Sequence, residues 1–200
     1  MNDTKILFSP EELVLAENAS WILTKNMILQ KICDLLGNLS DHMKEELSHL
    51  NLPKEVEQIS PKISKGENYK GLPYIVLDYP RFFTKENVFA IRTLFWWAHY
   101  FSVTLHLKGQ YKELFIKQVR KNLSFLSENN FYAGVSKDEW QHAVHGSDYI
   151  PLREANEEQL EIIFSQNNFL KLSAKLELNQ WNEAEEKLLH QFKLITKSLQ

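Results

Sequence analysis

LPYIVLDYPRFFTKENVFAIRTLFWWAHYFSVTLHLK, residues 72–108, is the most apolar and most aromatic stretch of the 200-residue chain. Within it, Tyr74 to Tyr79 is a short aromatic and β-branched run between Pro73 and Pro80, which suits a strand closed by residues that lack a backbone donor. Two further runs, Val88 to Trp97 and Tyr100 to Lys108, are separated by Ala98-His99. A tight turn there makes a hairpin with Trp97 opposite Tyr100, Phe95 opposite Ser102, Thr93 opposite Thr104 and Ile91 opposite His106. A helix capped by Thr84 competes locally, but the density of Phe, Trp, Val, Thr and Ile favours strand.

Side chains alternate across a strand, so this register gives the hairpin two unlike faces. One carries Val88, Ala90, Leu94, Trp96, Phe101, Val103, Leu105 and Leu107 with Arg92 as its sole charge, and is expected to be core. The other mixes rings with hydroxyls and an imidazole: Phe89, Ile91, Thr93, Phe95, Trp97, Tyr100, Ser102, Thr104 and His106. Arg92 in a core needs a carboxylate, and Asp78 on the preceding strand is the nearest.

Outward from this centre, Ser9-Pro10-Glu11-Glu12 opens a helix. Helical spacing of apolar residues continues to about Leu50, with Gly37-Asn38 as the expected break. Residues 51–73, with three prolines and two glycines, read as a long loop of the kind that covers a site, with room for a short helix around Lys54 to Gln58. Gly66 and Gly71 have P-loop spacing, but Leu72-Pro73 replaces the Lys-Ser/Thr that would hold phosphate and magnesium.

Beyond the centre, Gln110 to Leu126 reads as a helix with Tyr111, Leu114, Phe115, Val119, Leu123 and Leu126 inward and Lys112, Lys117, Arg120 and Lys121 outward. Phe131 to Ser136 and Tyr149 to Leu152 suit short strands, Ser136-Lys-Asp-Glu139 a capping box, and Asn156 a helix start. Leu170 to Leu178 alternates apolar and polar residues as a one-sided strand, and Asn179 is the expected cap of a last helix. The order implies an α+β class: a mainly antiparallel sheet with a central β-meander at about 74–108, N-terminal helices, and further helices on the sheet. The whole chain, 1–200, is expected to form one domain, with a helical segment at about 9–50, the loop 51–73 and a sheet-containing body at 74–200.

Composition narrows function. A net charge of −3 and a sequence pI near 6.2 give no general attraction to nucleic acid or anionic membranes. The four cations expected on one helix lack any accompanying recognition motif. No apolar run approaches the roughly 18 residues of a membrane span, and the N-terminus MNDTKILFSPEEL has no leader pattern. A single Cys33 forms no intrachain disulfide and suits a reducing compartment. These features point to the cytoplasm.

Three groups of residues are candidates for chemistry. Glu139, His142 and His145 share a face if their segment is helical, and with Asp148 they could hold a divalent metal, the one cofactor these residues suggest. With a second Glu-x-x-His pair, Glu46 and His49, the pattern resembles the paired motifs of carboxylate-bridged di-iron bundles, but the Glu and His content alone makes two such pairs unremarkable. The amphipathic hairpin face, through Trp97, Tyr100, Thr104 and His106, could grip a ligand. Asp78, Arg81 and Arg92 could add charge to it. The leading expectation is a cytosolic protein that binds a small molecule or a protein partner through this aromatic face, with no catalytic signature. The alternative is a metal-dependent hydrolase or other enzyme using the Glu139, His142 and His145 cluster. Oligomeric state is not specified by the sequence.

Overall fold

The computed structural model describes residues 5–200, the Gln166 side chain apart; the first four residues of the N-terminal reading lie outside them. Seven strands form one antiparallel sheet in the order β1-β2-β3-β4-β7-β5-β6. They are β1 (Lys62–Tyr69), β2 (Leu72–Phe83), β3 (Val88–Trp96), β4 (Tyr100–Lys108), β5 (Tyr132–Gly134), β6 (Tyr149–Pro151) and β7 (Phe169–Glu177). Among the described residues seven α-helices accompany them: α1 (Pro10–Glu17), α2 (Ala19–Leu47), α3 (Lys54–Glu57), α4 (Gln110–Lys121), α5 (Leu123–Glu128), α6 (Glu157–Glu161) and α7 (Ala184–Ser198). The class is α+β, with the meander at its centre.

The hairpin register differs from the expected one by a residue. Trp96, not Trp97, opposes Tyr100, and Phe95 opposes Phe101, Thr93 opposes Val103, Ile91 opposes Leu105 and Arg92 opposes Thr104. A two-residue turn of the favoured kind needs positive φ at both positions, which Ala and His resist. The chain instead makes a three-residue loop in which only Ala98 has positive φ, +60°, and the His99 amide donates to the Trp96 carbonyl at 3.1 Å. A one-residue slip exchanges faces. Phe89, Ile91, Thr93 and Phe95 therefore join Phe101, Val103, Leu105 and Leu107 on the core face. Arg92 moves to the polar face, with Ser102, Thr104 and His106.

β2 runs through both prolines: Pro73 stands second in the strand, outside the paired positions, and a bulge between Asp78 and Arg81 takes Tyr79-Pro80 out of the ladder; proline is tolerated at strand starts and bulges. The expected loop 51–73 is overturned. The short helix expected near Lys54 is present as α3, but the rest holds the whole edge strand β1, joined to β2 by Lys70-Gly71 with φ of +50° and +85°. The Asn68 carboxamide steadies that turn by accepting from the Gly71 amide at 3.0 Å. β1 carries exposed lysines and no apolar alternation, as edges often do, and this concealed it.

The N-terminal helix breaks at Asn18, whose side chain caps α2, and not at Gly37-Asn38. A helical glycine costs about 1 kcal/mol relative to alanine. Burying Leu36 and Leu39 on either side returns roughly 2 kcal/mol each, so continuity wins. The second half of α2 packs with α7 over the core face, where Ile32, Leu36, Leu39, Met43, Leu188, Phe192 and Ile195 meet the sheet. In α4, Tyr111, Phe115 and Val119 point inward as expected, but Leu114 is exposed and Lys112 is buried, donating to the Asn167 carbonyl. α7 begins at Ala184 after a 3-10 stretch, so Asn179 is not its cap.

Candidate functional site

The face of the sheet away from α2 and α7 carries a row of polar side chains that crosses four strands. Asp78, Arg92, Thr104 and Ser173 are register neighbours on β2, β3, β4 and β7, and His106 opposes Lys171 one step along. β7 was expected to show Lys171 and Ser173 to solvent, yet Lys171 is 2% exposed and Ser173 fully buried. Their cover is the irregular segment 135–145.

That segment was expected to be helical from its capping box, and it is not. Ser136 and Asp138 spend their oxygens on local turns, accepting from the Asp138 amide at 3.1 Å and the Trp140 amide at 2.9 Å, the usual competitors of helix. The next backbone groups bond to side chains of the sheet. The Tyr69 hydroxyl accepts from the amides of His142 and Ala143 at 2.8 and 2.9 Å, and the Tyr100 hydroxyl from that of Val144 at 2.6 Å. The Tyr149 hydroxyl donates to the Gln141 carbonyl at 3.1 Å. Non-helical backbone can be buried here because each of these groups has a partner.

Arg92 grips Asp78 in a fork, Nε to Oδ1 at 2.6 Å and Nη2 to Oδ2 at 2.8 Å, and its Nη1 lies 3.0 Å from His142 Nε2. Lys108 Nζ donates to Glu139 Oε1 at 2.6 Å, and His106 Nε2 lies 3.1 Å from Glu139 Oε2. Thr104 and Ser173 share a hydrogen bond of 2.8 Å. Lys171 Nζ donates to the carbonyls of Glu139 and Gln141 and lies 3.4 Å from His142 Nδ1.

Protonation follows from these contacts. Arginine only donates, so His142 Nε2 accepts and its proton sits on Nδ1, facing Lys171. A neutral Lys171 amine fits, giving two hydrogens to the carbonyls and its lone pair to Nδ1–H. Burial, reinforced by the charge of Arg92, lowers Lys171 to about 7. Burial and then the Lys171 and Arg92 charges lower His106 to about 3 and His142 to about 2. His106 is thus a neutral ring whose Nε2–H donates to Glu139. A cavity of about 10 Å³ lies between Arg92, Thr104, His106, His142 and Lys171, the room of roughly one water. The cluster holds the sheet to its cover and leaves no space for a substrate.

The predicted ligand residues are therefore divided. Asp78, Arg92, Thr104 and His106 come together in this cluster. Tyr100 lies on the same face but anchors Val144, and Arg81 lies past the bulge with its Nε on the Ser60 carbonyl at 3.0 Å. Of the proposed metal ligands, Glu139 bonds His106 and Lys108, His142 bonds Arg92, and His145 stacks on Trp96 with ring centroids 5.9 Å apart. Glu46 pairs with Lys193 at 2.6 Å. Among the described residues no three His, Cys, Asp or Glu side chains are grouped to hold a metal ion. Sequence reasoning missed Lys171, Tyr69 and Tyr149. The available signal was that β4 and β7 both alternate polar with apolar residues, so pairing them brings their polar faces together.

Trp97 belongs to a different place. The three-residue loop turns it to the helical side, where Ile28, Lys31, Ile32, Phe95, Trp97, Ala98, Leu178 and Trp181 line an open groove of about 440 Å³, within the range of ligand pockets. Trp21 meets Trp97 edge-on with centroids 6.5 Å apart, continuing the apolar surface up α2.

These features define an α+β protein with helices over one sheet face, a tethered irregular segment over the other, and an open tryptophan-lined groove. The chain matches no protein-family model, and neither curated proteins nor solved structures give a match. No helix among the described residues is long and apolar enough to cross a membrane.

Proposed function

We propose that this chain is a binding protein that docks an apolar segment of a protein partner in the Trp97–Trp181 groove. One observation carries the reading: the groove does not end at its rim. It continues through Trp21, which meets Trp97, into the first turns of α2, where Ile22, Leu23 and Met27 are exposed, and α1 before them exposes Leu13, Val14 and Leu15 as well. Apolar surface of this extent marks interaction sites, and a small ligand filling the groove would leave the helices uncovered. The lone Cys33 suits a reducing compartment, and we place this binding in the cytoplasm.

A photoreactive benzophenone residue at position 28, introduced in the producing cell, tests the reading. The expected result is a discrete adduct with a polypeptide on irradiation, absent for the same probe at the exposed position 158. Only unmodified chain at both positions would overturn it.

A further inference from the structure

We infer that the segment seated in the groove is α1 of a second copy of this chain, given reciprocally, so that two chains close a dimer through two arm-in-groove contacts. The inference rests on the docking reading above and names its occupant.

The first argument is that α1 lacks a reason to be helical in a single chain. It has eight residues and buries none of them, whereas isolated helices shorter than about 12 residues are marginal in water. The Ser9–Glu12 capping box contributes about 1 kcal/mol, which is too little alone. Packing has to supply the remainder, and its Leu13, Val14 and Leu15 are available for it.

The second argument is placement. α2 is continuous from Ala19 through Ile28, and Trp21 in its first turn already meets Trp97 of the groove. α1 departs from α2 at the non-helical Asn18, buries none of its own residues and supplies none of the groove's lining, so within one chain the arm and the seat stay apart. One chain bears both a projecting arm and a concave seat, and exchanging the two about a two-fold axis satisfies both and closes the assembly.

Area and charge agree. The eight large apolar side chains from Leu13 to Ile28 are between 38% and 65% exposed. At about 100 Å² for a fully exposed aliphatic side chain and about 200 Å² for Trp21, they offer on the order of 450 Å², more than half of the roughly 800 Å² each partner contributes to a standard stable interface, and the groove lining adds to it. α1 carries Glu11, Glu12 and Glu17 and no cation, while the groove's one charged lining residue is Lys31.

The test is complementation by sedimentation of the full chain. An arm variant, Leu13→Glu with Leu15→Glu, and a groove variant, Ala98→Glu, both change exposed positions, and unchanged circular dichroism and melting verify that each folds. Wild type is expected at twice the 23.6 kDa of one chain, each variant alone at the single mass, and their equimolar mixture again at the double mass, since one intact arm-and-groove pair survives. A dimer that ignores either variant, or variants that fail to rescue each other, overturns the exchange. A wild-type monomer at high micromolar concentration whose position-28 probe still captures another polypeptide overturns the second copy and leaves the docking reading intact. A monomer that captures nothing removes both.

Discussion

On the helical side of the β3–β4 hairpin, Phe89, Ile91, Phe95, Phe101, Val103 and Leu105 are buried against α2, α4 and α7 with nothing titratable among these six. On the other side, the same two strands bury Thr104 and His106 and half-bury Arg92 under the irregular segment 135–145. The first face is held by area alone, and the fit of its cover is set by shape. The second is held by a mutually dependent set of hydrogen bonds, in which losing one partner strands another. Burial is similar on the two faces; what differs is how a single loss propagates.

That difference is sharpest for two large substitutions. Phe101→Ala should lower stability by about 3–5 kcal/mol through lost transfer energy and a residual cavity. Arg92→Met should lower it by a similar amount, about 3–5 kcal/mol, because Asp78 is left buried and unpaired. The faces separate at the next step. Adding Asp78→Leu to Arg92→Met should recover most of the loss, while no second substitution of a neighbour refills the Phe101 cavity so simply. Urea unfolding of the three variants measures this; a double variant weaker than Arg92→Met would show that the ion pair is not the source of the dependence.

pH divides the faces next. Lys171, His106 and His142 all have folded-state values below their unfolded ones, so the unfolded chain binds more protons and stability rises with pH across each interval. For His106 the rise runs from about 3, and for His142 from about 2, to about 6.5. For Lys171 it runs from about 7 towards 10.5. At about 1.4 kcal/mol per unit, stability should climb by roughly 2–3 kcal/mol between pH 7 and 9.5. Lys171→Met should flatten that climb, and Phe101→Ala should leave its slope unchanged. Urea midpoints taken across the range decide it; an unaltered slope in Lys171→Met would mean the amine stays charged when folded.

The contrast also accounts for what could be read from the sequence. The α+β class, β3, β4, β7 and the inward side of α4 follow from alternation and helical spacing, which apolar packing enforces. The Asp78 partner of Arg92 was legible because a buried cation demands a carboxylate. The side on which Arg92 lies was not, because a turn one residue longer exchanges the faces and only backbone geometry at Ala98 reveals it. Segment 135–145 was illegible for a related reason. Its conformation is fixed by Tyr69, Tyr100, Tyr149 and Lys171, residues from 8 to more than 70 positions away, and no local pattern encodes such partners. Trp97 could be singled out by its type, but its neighbours Ile28 and Trp181 come from distant helical segments.

The smallest effect tests the comparison most cleanly, because the same substitution is made once on each face. Thr93 is fully buried on the helical face and its hydroxyl has no hydrogen-bond partner; it faces Val103 across the ladder. Its oxygen has given up water and gained nothing, so Thr93→Val, which keeps the branched shape, should stabilise by about 0.5–1 kcal/mol. Thr104 is buried on the opposite face and shares a 2.8 Å bond with Ser173. Thr104→Val should destabilise by about 1–2 kcal/mol, since it removes that bond and leaves the Ser173 hydroxyl unpaired in the interior. Opposite signs in paired melting curves are the expected result. Equal signs would mean that the polar side chains opposite the helices are merely tolerated there, and that the segment over them is held by its own packing and not by the network beneath it.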